Sequence, residues 1–147
     1  MLRSWAFYSA LSAVTVLSLS AWSDEPAKPN SDPAHAEKMQ EGLSLFKSQV
    51  RKILIDNCID CHGGDEVESG LDLATRKGLL RGGSHGPAVI AGKSADSNVV
   101  RFITRREKPY MPAEADKLPA EQIAAIGRWI DLGAPYDKPL VERESVR

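Results

Sequence analysis

Two cysteines and a histidine stand together in a motif whose spacing suggests cofactor chemistry. The motif reads Cys58-x-x-Cys61-His62, which is the pattern for covalent attachment of a c-type haem. Cysteines three positions apart lie on one face of a helical turn, so both thiols can reach the vinyl groups along one haem edge. The motif therefore predicts one covalently bound haem c, with Cys58 and Cys61 as attachment sites and His62 as an axial iron ligand.

Other chemistries can use the same pair of cysteines. A thioredoxin-like motif would follow a strand and begin a helix, whereas here an amphipathic helical pattern precedes the motif and a glycine-containing loop follows it. A structural zinc site would need a further ligand, and the remaining histidines are His35 and His85. A disulfide across two residues would close almost no loop. A haem-free redox or metal-binding protein is therefore an open but less favoured alternative.

The second axial ligand is expected in the segment Pro109-Tyr110-Met111-Pro112. Because Pro112 restricts the preceding residue to an extended backbone, the thioether of Met111 can be held towards the iron. Ligation by histidine and methionine raises the reduction potential and leaves no open iron site, which suits electron transfer. The alternatives are that Met111 is simply a core side chain, or that His85 is the sixth ligand.

Apolar spacing predicts a mainly α fold. An amphipathic helix is expected from Leu43 to Cys58 and another from Pro119 to Leu132, which Gly133 should terminate. Shorter helices are expected at Arg76 to Leu80 and after Asp96-Ser97. Pro109 and Pro112 exclude a regular helix from Glu107 to Lys117. We expect a small cytochrome c-like helical domain with long ordered loops wrapped around one haem.

The N-terminal residues have the architecture of a secretory signal peptide. Arg3 precedes an uncharged stretch that ends in small residues, so cleavage is expected after Ser23. Retention as a membrane anchor is the alternative, although the apolar run is short for a bilayer span. We therefore predict a signal peptide at 1–23, a flexible linker at 24–40, a cytochrome c domain at 41–137 and a tail at 138–147. The protein should be periplasmic or otherwise exported, with no stable membrane span after cleavage.

Charge and motif counts disfavour other classes of ligand. The formal net charge is −1, which favours neither nucleic acid nor anionic lipid. The segment from Gly82 to Gly92 has the wrong glycine spacing for a phosphate-binding loop, so no nucleotide is expected. Basic residues between Arg101 and Lys108 are expected to be solvated; pairing with haem propionates or docking an acidic redox partner is the alternative.

The chain resembles the planctomycete-type cytochrome c domain over roughly residues 42 to 136. The residues that carry the resemblance run in order: Phe46, Val50-Arg51-Lys52-Ile53-Leu54, Asn57, Cys58, Cys61-His62-Gly63, Ser69-Gly70-Leu71-Asp72-Leu73, Gly82-Gly83, Gly86-Pro87-Ala88, Gly92-Lys93, Met111-Pro112, Leu118 and Trp129-Ile130-Asp131-Leu132-Gly133-Ala134-Pro135. The resemblance implies a haem c fold with His62 as proximal and Met111 as distal ligand. Two departures are Ala113, where the family commonly has proline, and His85, where a small residue is usual.

Together these features predict an exported monohaem electron carrier with no catalytic activity of its own. The iron would cycle between Fe(II) and Fe(III), and a separate redox protein would supply or accept the electrons. A haem enzyme or sensor with a displaceable sixth ligand is the rival hypothesis. The sequence identifies neither the redox partner nor the choice between Met111 and His85.

Overall fold

The computed structural model describes residues 33–64 and 67–142, and within them the architecture is helical with long loops. The helices are α1 (Pro33–Leu45), α2 (Arg51–Asn57), α3 (Ile59–His62), α4 (Arg76–Arg81), α5 (Asn98–Ile103) and α6 (Ala120–Asp131). No β-strand occurs in this described part; Gly83 and Gly86 form an isolated antiparallel bridge. The prediction of a mainly α domain is confirmed.

A nearly continuous helical rod leads to the cysteine motif. Helices α1 and α2 are joined by a π-helical turn, Phe46–Val50, whose flanking residues Leu45 and Arg51 keep right-handed helical dihedral angles. The predicted apolar stripe faces inwards, because Phe46, Val50 and Leu54 are almost fully buried. The rod therefore places the end of α2 beside the domain core.

Helix α6 provides the other side of that core. Its residues Ile126, Trp129 and Ile130 are buried, and the Trp129 ring stacks on Phe46 with centroids 5.6 Å apart. The indole Nε1 also donates a hydrogen bond to the Pro135 carbonyl at 2.9 Å, so its polar edge is satisfied. The helix ends as predicted, since Gly133 adopts a φ of +99° that favours glycine.

Helix α1 begins inside the segment that was predicted to be a flexible linker. It starts at Pro33, which suits the first turn of a helix, and its interior is rich in good helix formers. Gly42 is buried where α1 crosses the chain that follows α6, and the Glu41 carboxylate pairs with Arg128. Residues 33–40 of the predicted linker are therefore helical, and the long-range contacts of α1 are made by the residues that follow them, Glu41 and Gly42.

The C-terminal chain returns to α2 through Arg51. The guanidinium group contacts the Asp137 carboxylate and the carbonyl oxygens of Lys138, at 2.8 Å, and Pro139, at 3.3 Å. Its hydrogen bond holds the pKa of Asp137 below its usual range. The Leu140 amide also donates to the Ala74 carbonyl at 2.7 Å, so the start of the predicted tail is tied to the domain.

The predicted signal peptide lies outside the described residues, as do linker residues 24–32 and tail residues 143–147. In the part of the chain that the structure does describe, no helix combines the length and hydrophobicity needed to cross a bilayer.

The packing of α1 can be tested with two glycine substitutions in helices. A Cβ at Gly42 would lie 2.9 Å from the Leu132 Cβ and 3.0 Å from the Pro135 ring, whereas one at Gly127 would meet nothing closer than 3.9 Å. Gly127→Ala should stabilise the protein by about 0.5–1 kcal/mol through helix propensity. Gly42→Ala should instead destabilise it by roughly 1–3 kcal/mol because the tight contact outweighs that gain.

Urea unfolding followed by circular dichroism gives both free energies, and Gly127→Ala is the matched control. Equal stabilisation by the two substitutions would contradict the packing of α1 against residues 132–135.

Candidate functional site

The cysteine motif lies at a break between two helices. Helix α2 ends at Asn57, Cys58 leaves the helical region with φ −133° and ψ −34°, and α3 makes a single further turn. The His62 amide donates to the Cys58 carbonyl at 2.9 Å, which keeps the motif compact. The two cysteines are not joined in a disulfide; Cys58 is half-buried and Cys61 is exposed.

A cavity of about 470 Å³ opens beside this motif. Its volume lies within the range typical of small-molecule and cofactor sites. The residues lining it include all four predicted site residues, Cys58, Cys61, His62 and Met111, together with His85. Residues separated along the chain by loops of irregular structure are therefore brought to one site.

The lining of the cavity is mainly apolar. Leu71, Leu73, Val99, Phe102 and Ile103 contribute hydrophobic surface to it. Leu73 and Ile103 are also buried in the main core, and Leu71 packs against that core. Leu71 and Leu73 thereby anchor the loop after the motif to the core. Such a wall suits a flat hydrophobic cofactor that is bonded at one edge.

The imidazole of His62 has one nitrogen that makes no hydrogen bond within the described residues. This nitrogen is Nδ1, and it is buried. A buried polar atom without a partner costs about 1–3 kcal/mol, so burial of this nitrogen needs a compensating interaction. A neutral imidazole is a common metal ligand, and His62 lines the cavity. This side chain therefore fits the role of an iron ligand.

The backbone around His62 is fixed more firmly than the ring. The His62 carbonyl accepts a hydrogen bond from the Leu73 amide at 2.6 Å. Leu73 is almost fully buried, so this bond fastens the end of the motif to the core. The protein thus holds the histidine backbone in place and leaves Nδ1 of the ring without a partner among the residues that the structure describes.

The glycine-rich segment forms another wall of the cavity. Gly83 and Gly86 exchange backbone hydrogen bonds of 3.1 and 2.9 Å, which makes a tight turn containing Ser84 and His85. His85 is exposed at the rim, where its ring lies edge-on to Phe102 with centroids 5.6 Å apart. The predicted loop around a haem edge is compatible with this placement.

Met111 approaches the cavity from the segment that follows α5. Its amide donates to the Phe102 carbonyl at 3.2 Å, and its side chain is half-buried against the core. As predicted from Pro109 and Pro112, the segment is not helical; the peptide bonds preceding both prolines are cis. Met111 and His85 line the same cavity, so the two sixth-ligand candidates named from sequence both reach the site.

The electrostatics of Cys58 distinguish it from a redox-active thiol. Burial raises its pKa to about 12, and repulsion from a Cys61 thiolate adds to the shift. Reactive cysteines in Cys-x-x-Cys redox motifs have lowered pKa values, so a thioredoxin-like role is disfavoured.

The described residues also contain no group of three or more His, Cys, Asp or Glu side chains that could hold a metal ion. A porphyrin needs no such group because it supplies the equatorial ligands itself.

Comparison with known proteins agrees with the site. Residues 58–114 match the family model described as Planctomycete cytochrome C, and the matched segment runs from Cys58 past Met111. The resemblance identified from the sequence is confirmed over this segment, and the matched model is that of a cytochrome c family. Neither the curated proteins nor the solved structures gave a match.

Several residues of the cavity wall carry no signal in the sequence, among them Asn98 and Phe102. Asn98 directly follows the expected helix cap, where polar residues are ordinary, so its type gave no signal. Ser97 itself makes no capping hydrogen bond to α5 through its side chain; its hydroxyl accepts from the Ile90 amide at 2.9 Å.

The tight glycine turn can be tested by comparing two glycines of similar φ. Gly82 (φ +75°) and Gly92 (φ +80°) both lie in the left-handed region, but a Cβ at Gly82 would come within 1.9 Å of the Gly86 carbonyl oxygen, whereas one at Gly92 meets nothing within 4 Å. Gly92→Ala should cost about 1–2 kcal/mol from backbone strain. Gly82→Ala should lower the free energy of unfolding further and perturb the haem absorption spectrum, because the cavity wall must move.

Urea titration and the oxidised visible spectrum measure these two effects. If both variants lost equal stability and kept the same spectrum, the close approach of Gly82 to Gly86 would not matter for the cavity.

Proposed function

We propose that this protein is an exported monohaem c-type cytochrome that transfers electrons, with one haem c joined to Cys58 and Cys61. The observation that carries this proposal is the single cavity lined by both cysteines, His62 and Met111. The family match over residues 58–114 supports the haem assignment. The particular ligand set and the electron-transfer role are inferred from the chemistry of these side chains.

Each side chain has a distinct role in this proposal. The sulfur atoms of Cys58 and Cys61 would hold the haem covalently, and His62 and Met111 would be the protein ligands of its iron. The apolar lining would limit access of water. When bound, the haem supplies reversible one-electron chemistry between Fe(II) and Fe(III). The protein sets the reduction potential through the axial ligands, hydrogen bonding and burial.

An electron carrier is favoured over a haem enzyme by the number of suitable ligands. Two axial protein ligands leave no coordination position for a substrate. Met111 and His85 both line the cavity together with His62. A second protein ligand is therefore available to the iron. The rival hypothesis, a haem enzyme or sensor with a displaceable sixth ligand, predicts that Met111→Ala leaves the oxidised spectrum unchanged.

Export and a protein partner belong to the same proposal. The signal-peptide pattern at residues 1–23 directs the chain out of the cytoplasm. A carrier of this kind needs a separate redox protein to donate or accept its electrons. The exposed cations Arg105, Arg106 and Lys108 lie beside the Met111 segment, and they could steer an acidic partner towards it.

Intact mass spectrometry of the protein isolated from the periplasm tests haem attachment and leader cleavage together. The expected mass is that of residues 24–147 plus one haem. The double variant Cys58→Ser/Cys61→Ser should lose the haem mass, because no thioether can form.

The two claims fail separately in this measurement. A wild-type mass without haem contradicts the cytochrome assignment, and a mass that includes residues 1–23 contradicts cleavage while leaving haem binding intact.

Substitution of the two sixth-ligand candidates identifies the ligand. Met111→Ala should abolish the sulfur-to-iron charge-transfer band of the oxidised protein and lower the reduction potential, because a methionine ligand raises it. The matched variant His85→Ala should keep both the band and the potential near those of the wild type.

Absorption spectroscopy and redox titration distinguish the outcomes. A spectrum changed by His85→Ala but not by Met111→Ala would assign ligation to His85. Spectra unchanged in both variants would favour the haem enzyme or sensor with a vacant sixth position.

A further inference from the structure

The buried side chain of Asn98 connects several parts of the cavity wall. We propose that Asn98 is a positioning residue of the haem site. It holds the turn that carries His85 closed over the distal side of the cavity, the side of the sixth-ligand candidates Met111 and His85. The inference rests on the proposed haem function and adds a residue to it. Asn98 lines the cavity and is only 9% exposed.

The amide group of Asn98 is satisfied at both ends. Its Nδ2 donates to the carbonyl oxygens of His85, at 2.7 Å, and Pro87, at 3.1 Å. Its Oδ1 accepts a hydrogen bond from the Arg101 guanidinium. Because two carbonyls require a donor and the guanidinium requires an acceptor, the orientation of the amide is determined. Asparagine meets both requirements, whereas aspartate offers no donor to the carbonyls.

Arg101 holds the acceptor end of this arrangement. Its Nε lies 3.3 Å from a carboxylate oxygen of Glu107, so the guanidinium is placed between Glu107 and Asn98. The cation lies one helical turn after Asn98, on the same face of α5. The helix therefore presents the amide to the turn in one orientation.

The turn has few other attachments to the rest of the domain. The bonds between Gly83 and Gly86 are internal to it, and the Ser84 amide donates to the Ser69 carbonyl at 2.9 Å. On the side of α5, the Val99 amide donates to the Ala88 carbonyl at 3.0 Å. The two hydrogen bonds that Asn98 donates, to His85 and Pro87, lie between these attachments. Loss of the Asn98 amide should therefore free the central part of the turn.

Helix α5 supports both candidates for the sixth ligand. Asn98, at its start, holds the backbone of His85, while the carbonyl of Phe102, near its end, accepts from the Met111 amide at 3.2 Å. The ring of Phe102 also contacts that of His85. Opening the turn should therefore enlarge the distal side of the cavity without removing the backbone attachment of Met111.

Imidazole binding to the oxidised, haem-loaded protein tests this inference. An added ligand must enter the distal side before it can replace the protein ligand, so its apparent affinity depends on the population of open protein. Asn98→Ala should increase imidazole affinity roughly tenfold, as expected from losing one or two buried hydrogen bonds that keep the site closed. Hydrogen exchange of the amides in residues 83–86 should accelerate in parallel.

Thr104→Val, at the C-cap of α5, is the matched control. The Thr104 hydroxyl donates to the carbonyls of Val100, at 2.6 Å, and Arg101, at 3.1 Å, so its loss weakens the helix without touching the turn. This variant should bind imidazole like the wild type. If Asn98→Ala fails to fold, Asn98→Asp keeps the side-chain volume and the Arg101 contact, and should show the same gain in affinity.

The outcomes separate this inference from the proposed function. Unchanged imidazole affinity and loop exchange in a haem-loaded Asn98 variant would overturn the positioning role and leave the cytochrome assignment standing. An equal gain in Thr104→Val would also overturn it, because the effect would then be general destabilisation. A wild-type protein without covalent haem would overturn the proposed function itself.

Discussion

The packing of Phe46 against Trp129 determines where the Cys58 to His62 motif lies. Phe46 is fully buried, with its ring 5.6 Å from that of Trp129 and 4.3 Å from that of Tyr136. Burial of such aromatic side chains is worth several kcal/mol each. Since Phe46 begins the turn that continues into α2, this contact fixes the rod that ends at Cys58 and thereby one side of the cavity.

The rest of the cavity is built from irregular chain that depends on a few backbone hydrogen bonds. The Leu73 amide fastens the carbonyl of His62, and the Phe102 carbonyl fastens the amide of Met111. Loops can hold ligands rigidly only if their polar backbone groups find partners. Here helix α5 supplies several of them, so a short helix organises much more of the site than its length suggests.

Prediction from sequence succeeded where local pattern and local chemistry agreed. The stripe from Phe46 to Leu54 and the end of α6 before Gly133 depend on residues close together in the chain. The haem-binding roles of Cys58 to His62 stay predictions. The flexible linker predicted up to residue 40 overlaps α1, which is helical from Pro33 and contacts residues 128–135 through Glu41 and Gly42. Composition alone could not reveal that partner.

The sequence by itself determined the chemistry: a Cys-x-x-Cys-His spacing that suits a haem edge and a methionine held between prolines. Only the tertiary structure decided that Met111 and His85 reach one cavity with His62, and that Asn98 ties the His85 turn to α5. The physical reason is that the spacing of residues along the chain fixes their relative positions only within one helical turn. Access of a ligand to the cavity and the hydrogen bonds of its lining depend instead on which distant segments pack together.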